Sequence, residues 1–211
     1  VGILHIIVYL GFIIINIELL EILIDGIFGT HRIFAPFLGS FYNFLIGSFE
    51  IFALMVIVSV VIFLIRRNII KIKRFWSDEM KGWPKTDADV ILYVEIALMS
   101  LFLTMNASDY WLQINSTNPI YIQAGSFPIS QFITPIFDSF TVETVIFIER
   151  SAWWLHIIGI FLFLNYLYYS KHLHILLAFP NTYFANLESK GKFSNLKSVT
   201  DEVKLMLDPS A

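Results

Sequence analysis

Residues 153–174 read WWLHIIGIFLFLNYLYYSKHLH, an apolar run of membrane-spanning length with a histidine near each end. His156 and His174 are 18 residues apart, which at 3.6 residues per turn is five whole turns. On one continuous helix both imidazoles would leave from the same face, about 27 Å apart along the axis, and His172 would lie about 160° away. Polar side chains inside hydrocarbon are costly and tend to mark function. The spacing therefore favours two functional sites, one near each membrane surface.

The composition places the chain in the integral membrane class. It has 211 residues, of which 57% are apolar and 15% are charged, and this is too apolar for a soluble domain. Because the sequence has no cysteine, it forms no disulfide and cannot ligate an iron–sulfur cluster by itself. It also has no glycine-rich phosphate loop and no serine or cysteine nucleophile pattern.

Four apolar segments are long enough, or nearly so, to cross a hydrocarbon core of about 30 Å. We expect an all-α, polytopic membrane helix bundle with spans at residues 3–24, 41–65, 90–105 and 151–169. A polar and aromatic loop is expected from Asn106 to Arg150. Because the sequence opens at Val1 inside an apolar run, we read the chain as a fragment and expect one more span before it.

The basic residues predict the orientation of these spans. Seven Lys and Arg residues lie in the connector 66–89 and five lie in the tail after Tyr169, whereas the two opposite loops contain only Arg32 and Arg150. The positive-inside rule therefore predicts that the connector and the tail are cytoplasmic.

Four of the five histidines fall into two pairs at matching depth. His5 begins the first span and His174 ends the fourth, both on the cytoplasmic side, while His31 follows the first span and His156 begins the fourth. Haem iron takes imidazole as an axial ligand, so the pairs predict one haem near each surface. The alternative is that these are interfacial histidines that hydrogen-bond to loops or headgroups.

The outer pair requires the first helix to break, because His5 and His31 would be about 39 Å apart on a continuous helix. Glycine permits such a break, and we expect it after Gly26 or Gly29. Gly159, one turn from His156, would either leave room for a flat porphyrin or serve ordinary helix packing. Lys171 and Arg32 would each either pair with a haem propionate or act as an anchor at the membrane interface.

Buried carboxylates are the second group of candidates. Three lie in the outer half of the first segment: Glu18, Glu21 and Asp25. Near the outer surface they would accept protons from a quinol as it is oxidised. The alternatives are interfacial solvation and pairing with Arg32. Glu95 lies deeper, in the third segment, with Asn16 or a connector cation as its expected partner.

The chain resembles the gamma subunit of respiratory nitrate reductase in its last helix, at His156-Ile-Ile-Gly-Ile-Phe-Leu-Phe and Tyr169-Ser170-Lys171-His172-Leu173-His174. It is also similar to the membrane cytochrome b of heterodisulfide reductases. In those proteins this histidine pattern supplies one ligand to each of two b haems. The resemblance covers most of the chain and is strongest at residues 2–32 and 150–209.

One departure from that pattern leaves the number of haems open. The related proteins carry two histidines ten residues apart on the first ligand-bearing helix, and here His5 is followed at that distance by Ile15. Two haems are expected if His31 replaces the missing ligand, and one haem otherwise. His172 is disfavoured as a replacement for His174, because on a continuous helix it would lie about 160° away from the face of His156.

The resemblance is strongest to a bacterial type in which the haem-binding membrane domain is fused to a cytoplasmic, Cys-rich iron–sulfur domain. It implies a transmembrane haem-binding domain at residues 1–178 and a cytoplasmic linker at 179–211. The implied function is electron transfer in the bacterial inner membrane, as part of an oxidoreductase, between the quinone pool and 4Fe-4S clusters in the missing part or a partner. The alternative is a non-redox membrane anchor, or a subunit that conducts protons or metal ions.

Overall fold

A computed structural model describes residues 2–187 and 196–208. Within these ranges the chain forms helices and no strand, which confirms the all-α class. The α-helices are α1 (Gly2–Phe28), α2 (Ala35–Leu38), α3 (Ser40–Leu64), α4 (Trp83–Asn115), α5 (Val142–Leu167), α6 (His174–Tyr183) and α7 (Lys197–Leu207). Val1 and two parts of the expected linker, residues 188–195 and 209–211, lie outside the described residues.

In the described part of the chain, four helices are long and apolar enough to cross a membrane: α1, α3 with the π-helical turn that continues it to Ile69, α4 and α5. Large apolar side chains such as Leu20, Leu54 and Leu162 are exposed on their outward faces. A continuous apolar surface of this extent is covered by lipid in a membrane protein. The chain is therefore a multi-pass membrane protein, as expected from the sequence.

The spans pack in chain order, α1 along α3, α3 along α4, and α4 along α5. Gly11 lets α1 approach α3 closely, because a Cβ at this position would lie 2.6 Å from Val56. We call the end of the bundle that carries residues 29–39 and 116–141 the loop end. The opposite end, which carries residues 65–82 and 168–173, is the connector end.

Two expected boundaries were wrong at the loop end. Helix α4 continues to Asn115, although the loop was expected to begin at Asn106, and α5 begins at Val142 instead of Ser151. Arg32 and His31 pair with Asp109, and Gln113 donates to the carbonyl of Ala124, so these polar side chains are accommodated within the helix. Thr141 caps α5, and its Oγ1 accepts a 3.3 Å hydrogen bond from Thr144 N.

The expected continuous helix from His156 to His174 was also wrong, because α5 ends at Leu167. Asp87 of α4 fixes the chain here: it accepts hydrogen bonds from Tyr166 Oη at 2.7 Å and from Lys171 N at 3.2 Å. His174 instead opens α6. The chain divides into two compact units, Val1–Leu173 and His174–Ala211. In the second unit, α6 contains Pro180 and α7 carries an exposed apolar face.

Candidate functional site

The loop after α1 is organised by one carboxylate. Helix α1 ends at Phe28 and the chain turns at Gly29, whose φ of 67° favours glycine; the expected break is therefore confirmed. Asp25 accepts hydrogen bonds from Thr30 Oγ1 at 2.6 Å and from Arg32 N at 2.7 Å. These bonds hold Arg32 at a φ of 54°, a conformation that non-glycine residues rarely adopt. Asp25 thus stabilises this loop.

Arg32 is buried against α4. Its Nη2 and Nε donate to Asp109 Oδ2 at 2.6 and 2.8 Å, and its Nη1 donates to Tyr42 Oη at 3.0 Å. Burial alone would lower the pKa of Arg32, but the carboxylate of Asp109 and the phenol of Tyr42 hold it well above the usual range. The guanidinium is therefore a permanent positive charge inside the loop end.

His31 shares the same carboxylate. Its Nε2 lies 2.9 Å from Asp109 Oδ1, and its ring meets the edge of Tyr121 with 5.4 Å between centroids. Because an ionised carboxylate only accepts, Nε2–H of His31 is the donor. In this arrangement Nε2 is not available as a metal ligand.

Two carboxylates of α1 have different surroundings. Glu21 accepts hydrogen bonds from Phe34 N at 2.9 Å and from Tyr42 Oη at 2.8 Å. Glu18 is 3% exposed, and its Oε2 has no hydrogen-bond partner among the residues that the structure describes. An unsatisfied carboxylate oxygen inside a membrane bundle is costly. A ligand that donates a hydrogen bond to Glu18 would therefore stabilise it.

His156 is buried beside a cavity of about 100 Å³ between α1, α4 and α5. Its Nδ1 lies 3.0 Å from the carbonyl oxygen of Leu98. Since a carbonyl only accepts, Nδ1 carries the proton and Nε2 keeps its lone pair. This is the tautomer and the second-shell bond that metal-binding histidines typically show.

A separate polar cavity lies at the loop end. It is lined by His31, Arg32, Asp109 and Glu149 among others. His31 does not line the cavity of His156, so the structure does not bring this expected ligand pair to one cavity. Glu18 and Ile22 line both cavities and form the wall between them.

Glu95 has a partner that the sequence did not predict. Its Oε1 lies 3.6 Å from His172 Nε2, whereas the side-chain amide of Asn16 donates to the carbonyl of Phe12, and among the described residues no connector cation pairs with Glu95. Glu95, Asn16 and Phe163 line the His156 cavity, and the ring of His172 packs against Phe163 with 5.8 Å between centroids. His172 was expected to lie about 160° from His156 on one continuous helix. This expectation was wrong, because α5 ends at Leu167.

Of the remaining candidates, His5 and Lys171 lie at the connector end, Gly159 lies within α5, and His174 belongs to the second unit. His5 is exposed in the second turn of α1, and His174 is exposed at the start of α6. Lys171 Nζ donates to the carbonyl of Pro84 at 2.6 Å and so ties the end of α5 to the start of α4. Gly159 meets α4, since a Cβ there would lie 2.8 Å from Leu98 Cδ2; this is the helix-packing role.

Sequence reasoning missed several buried polar residues. Glu50 lies in the middle of α3, and its Oε2 accepts hydrogen bonds from Ile129 N at 2.9 Å and Ser130 N at 3.1 Å. A carboxylate within an apolar span is itself the signal that would have identified Glu50. Asp109 was hidden because its segment was assigned to a loop. Within the described ranges no three His, Asp or Glu side chains are grouped to hold a metal ion.

The fold and the site define a multi-pass, all-α membrane protein with a buried histidine and a cluster of buried ionisable groups at its loop end. No protein-family model and no solved structure matches the chain. The chain is similar to a probable iron–sulfur-binding oxidoreductase, FadF, of Bacillus subtilis (strain 168), with 26% identity over 207 residues. The match covers 96% of this chain but spans only 26% of the length of that relative.

Proposed function

We propose that this chain is the membrane part of an iron–sulfur oxidoreductase and passes electrons between the quinone pool and a cytoplasmic iron–sulfur domain or partner through b-type haem. The observation that carries the proposal is His156, a buried imidazole with Nδ1 bound to the Leu98 carbonyl and a cavity beside it. The similarity to FadF along almost the whole chain supports the redox setting. Because this chain has no cysteine, the clusters belong to another segment or subunit.

The donor set around His156 fits a haem ligand. Its neutral tautomer leaves Nε2 available, and the hydrogen bond to Leu98 restrains the orientation of the ring. Phe102, with its ring centroid 6.0 Å from that of His156, and Ile160 give the cavity apolar walls. When bound, haem b supplies a reversible one-electron couple at its iron.

The remaining histidines are the candidates for the second iron ligand. The resemblance supplies His5 and His174 as positions for iron ligands, and the matching depth of His31 and His156 adds His31, with two haems favoured and one possible. His172 is a further candidate, because it contacts Phe163 and Glu95, two residues that line the same cavity as His156. For His31 to bind iron through Nε2, it would have to release Asp109.

We further propose the bacterial inner membrane as the location, with the connector and the tail on the cytoplasmic side. The lipid bilayer, a membrane quinone and the iron–sulfur domain or subunit are the corresponding partners. The count of basic residues supports this orientation.

The test is the haem content of the purified full-length protein in detergent. A dithionite-reduced minus oxidised spectrum should show a b-type cytochrome, and a haemochrome assay should give the number of haems per chain. His156→Ala should lose one haem, whereas the matched control Leu155→Ala, on the exposed face of α5, should retain all of it. A colourless wild-type protein, or full haem in His156→Ala, would contradict the proposal.

One observation favours proton conduction as a second candidate function. Glu18 and Glu95 line one cavity within the spans, and Glu95 is paired with His172. Ionisable groups in such positions are typical of proton relays. Proton uptake by proteoliposomes that contain colourless protein, abolished by Glu95→Gln, would support this function in place of electron transfer.

A further inference from the structure

A groove opens towards the bilayer between α1 and α3. It has a volume of about 640 Å³, within the usual range for sites that bind small molecules. Its walls are almost entirely apolar, and Ile17, Leu20 and Phe37 are exposed at its opening. Since this surface faces lipid, a ligand would enter from the membrane.

Three polar side chains lie among the apolar walls: Glu18, Glu21 and Tyr42. Tyr42 Oη donates to Glu21 at 2.8 Å and accepts a hydrogen bond from Arg32. Tyr42 and Glu21 are therefore already paired. Glu18 differs, because its Oε2 has no hydrogen-bond partner although the residue is almost completely buried. Glu18 therefore places in the groove wall a carboxylate whose Oε2 lacks a donor and is closed off from solvent, so a ligand in the groove would reach it after a shift of the Glu18 side chain.

The depth of Glu18 restricts the occupant. It lies ten residues before Phe28, about 15 Å along α1 from the loop end, in a hydrocarbon core about 30 Å thick. A phospholipid keeps its polar headgroup at the interface, and its acyl chains have no hydrogen to donate. A quinol has a largely apolar ring, two hydroxyl donors and a tail that is soluble in lipid, so it matches both the walls and the unpaired acceptor.

We propose that this groove binds a membrane quinol, with a ring hydroxyl donating to Glu18 Oε2, the ring among the apolar walls and the tail in the opening. This inference rests on the proposed function, whose quinone site it locates. Glu18 also lines the His156 cavity and the polar cavity at the loop end. The ring would therefore lie beside the wall that borders the candidate haem ligand.

The experiment uses an azido-substituted menaquinol analogue and the full-length protein in nanodiscs, with labelled peptides mapped by mass spectrometry. The label should fall on α1 and α3 around Glu18 and Tyr42. Leu45→Trp, which fills the groove, should weaken binding about tenfold or more. The matched control Phe44→Trp, on the lipid-facing side of the same turn, should bind as the wild type does.

Glu18→Leu keeps the test decisive if Leu45→Trp fails to fold. This change removes an unsatisfied buried carboxylate, so the protein should fold at least as well, yet it should also bind the quinol about tenfold more weakly. Labelling elsewhere, equal binding by Leu45→Trp and Phe44→Trp, or uptake of a photoreactive phospholipid in the groove with no competition by quinol would overturn the inference.

The haem spectrum separates this inference from the proposed function. A haem-containing protein that is not labelled in the groove would overturn the quinol site and leave electron transfer standing. A protein without haem that is still labelled there would overturn the proposed function and retain the quinol site.

Discussion

Nε2 of His31 lies 2.9 Å from Oδ1 of Asp109, while the other oxygen of the same carboxylate holds Arg32. One residue of α4 thus fixes two consecutive residues of the loop after α1. Gln113 Nε2 donates to Asp109 as well, at 3.0 Å. The loop end is therefore held by a buried ion pair together with hydrogen bonds, and its stability depends on Asp109.

Replacement of Asp109 by Ala should strongly destabilise the protein. The change leaves the Arg32 guanidinium buried without its counter-charge, and breaking a buried pair in this way typically costs about 3–5 kcal/mol. We expect a large fall in the temperature of thermal unfolding in detergent. Asp78→Ala is the control: it removes an exposed ion pair with Lys81 and should leave that temperature unchanged.

Removal of both charges distinguishes the ion pair from simple packing. In Arg32→Met with Asp109→Leu, no charge is left unpaired, so most of the stability lost in Asp109→Ala should return. If the double variant were as unstable as Asp109→Ala, the loss would have to come from the volume and the other hydrogen bonds of Asp109.

Asp25 and Glu18 should have different roles. Loss of Asp25 should lower the stability of the protein, and loss of Glu18 should slow quinol turnover. The two were grouped as proton acceptors in the sequence, but Asp25 binds the loop through Thr30, Arg32 and Ile33. Asp25→Ala should lower the free energy of unfolding by about 1–3 kcal/mol, because buried backbone donors lose their acceptor, and should speed proteolysis of residues 29–34.

Glu18→Gln should slow quinol oxidation with normal haem absorbance and normal proteolysis. Equal turnover in Glu18→Gln and the wild type would remove Glu18 from the reaction.

The sequence predicted the parts of the fold that depend on local patterns. Apolar length located the four spans, and glycine located the turn at Gly29, because both features act within a few residues. The ends of α4 and α5 depend instead on distant partners. Asp109 stays helical because Arg32 approaches it, and α5 ends early because Asp87 binds Tyr166 and Lys171.

The candidate site shows the same difference between features set by local sequence and features set by distant partners. The apolar run correctly placed His156 within a span, because apolar length is a local feature, but its burial against Leu98 depends on the packing of α5 on α4. The partners of His31 and His172 could not be predicted, because Asp109 and Glu95 are brought to them by the packing of the spans. Helical spacing assigned a face to His172 only on the assumption of a continuous helix.

Two glycines should respond differently to alanine. A Cβ at Gly26 would lie 2.8 Å from the rigid ring of Trp153, and a Cβ at Gly159 would lie 2.8 Å from the flexible end of Leu98. Gly26→Ala should therefore destabilise by about 1–3 kcal/mol. Gly159→Ala should be nearly neutral, because Leu98 can move and alanine favours the helix. Thermal unfolding measures both, and a changed haem spectrum in Gly159→Ala would show that this glycine faces the porphyrin instead.

Residues 1–211 contain no cysteine, so a single cysteine introduced among them can be followed by mapping the labelled peptide, which tests the orientation directly. Arg32 at the loop end and Arg67 at the connector end are both buried and paired with carboxylates, so the difference in basic charge between the two ends stays as the sequence count gives it. Under the positive-inside rule the connector end is cytoplasmic. In intact bacterial cells a membrane-impermeant maleimide should label Thr117→Cys at the loop end and should label Glu79→Cys only after permeabilisation; both positions are exposed. The reverse pattern would place the iron–sulfur partner and the basic connector on opposite sides of the membrane, which is incompatible with the proposed electron transfer to a cytoplasmic domain.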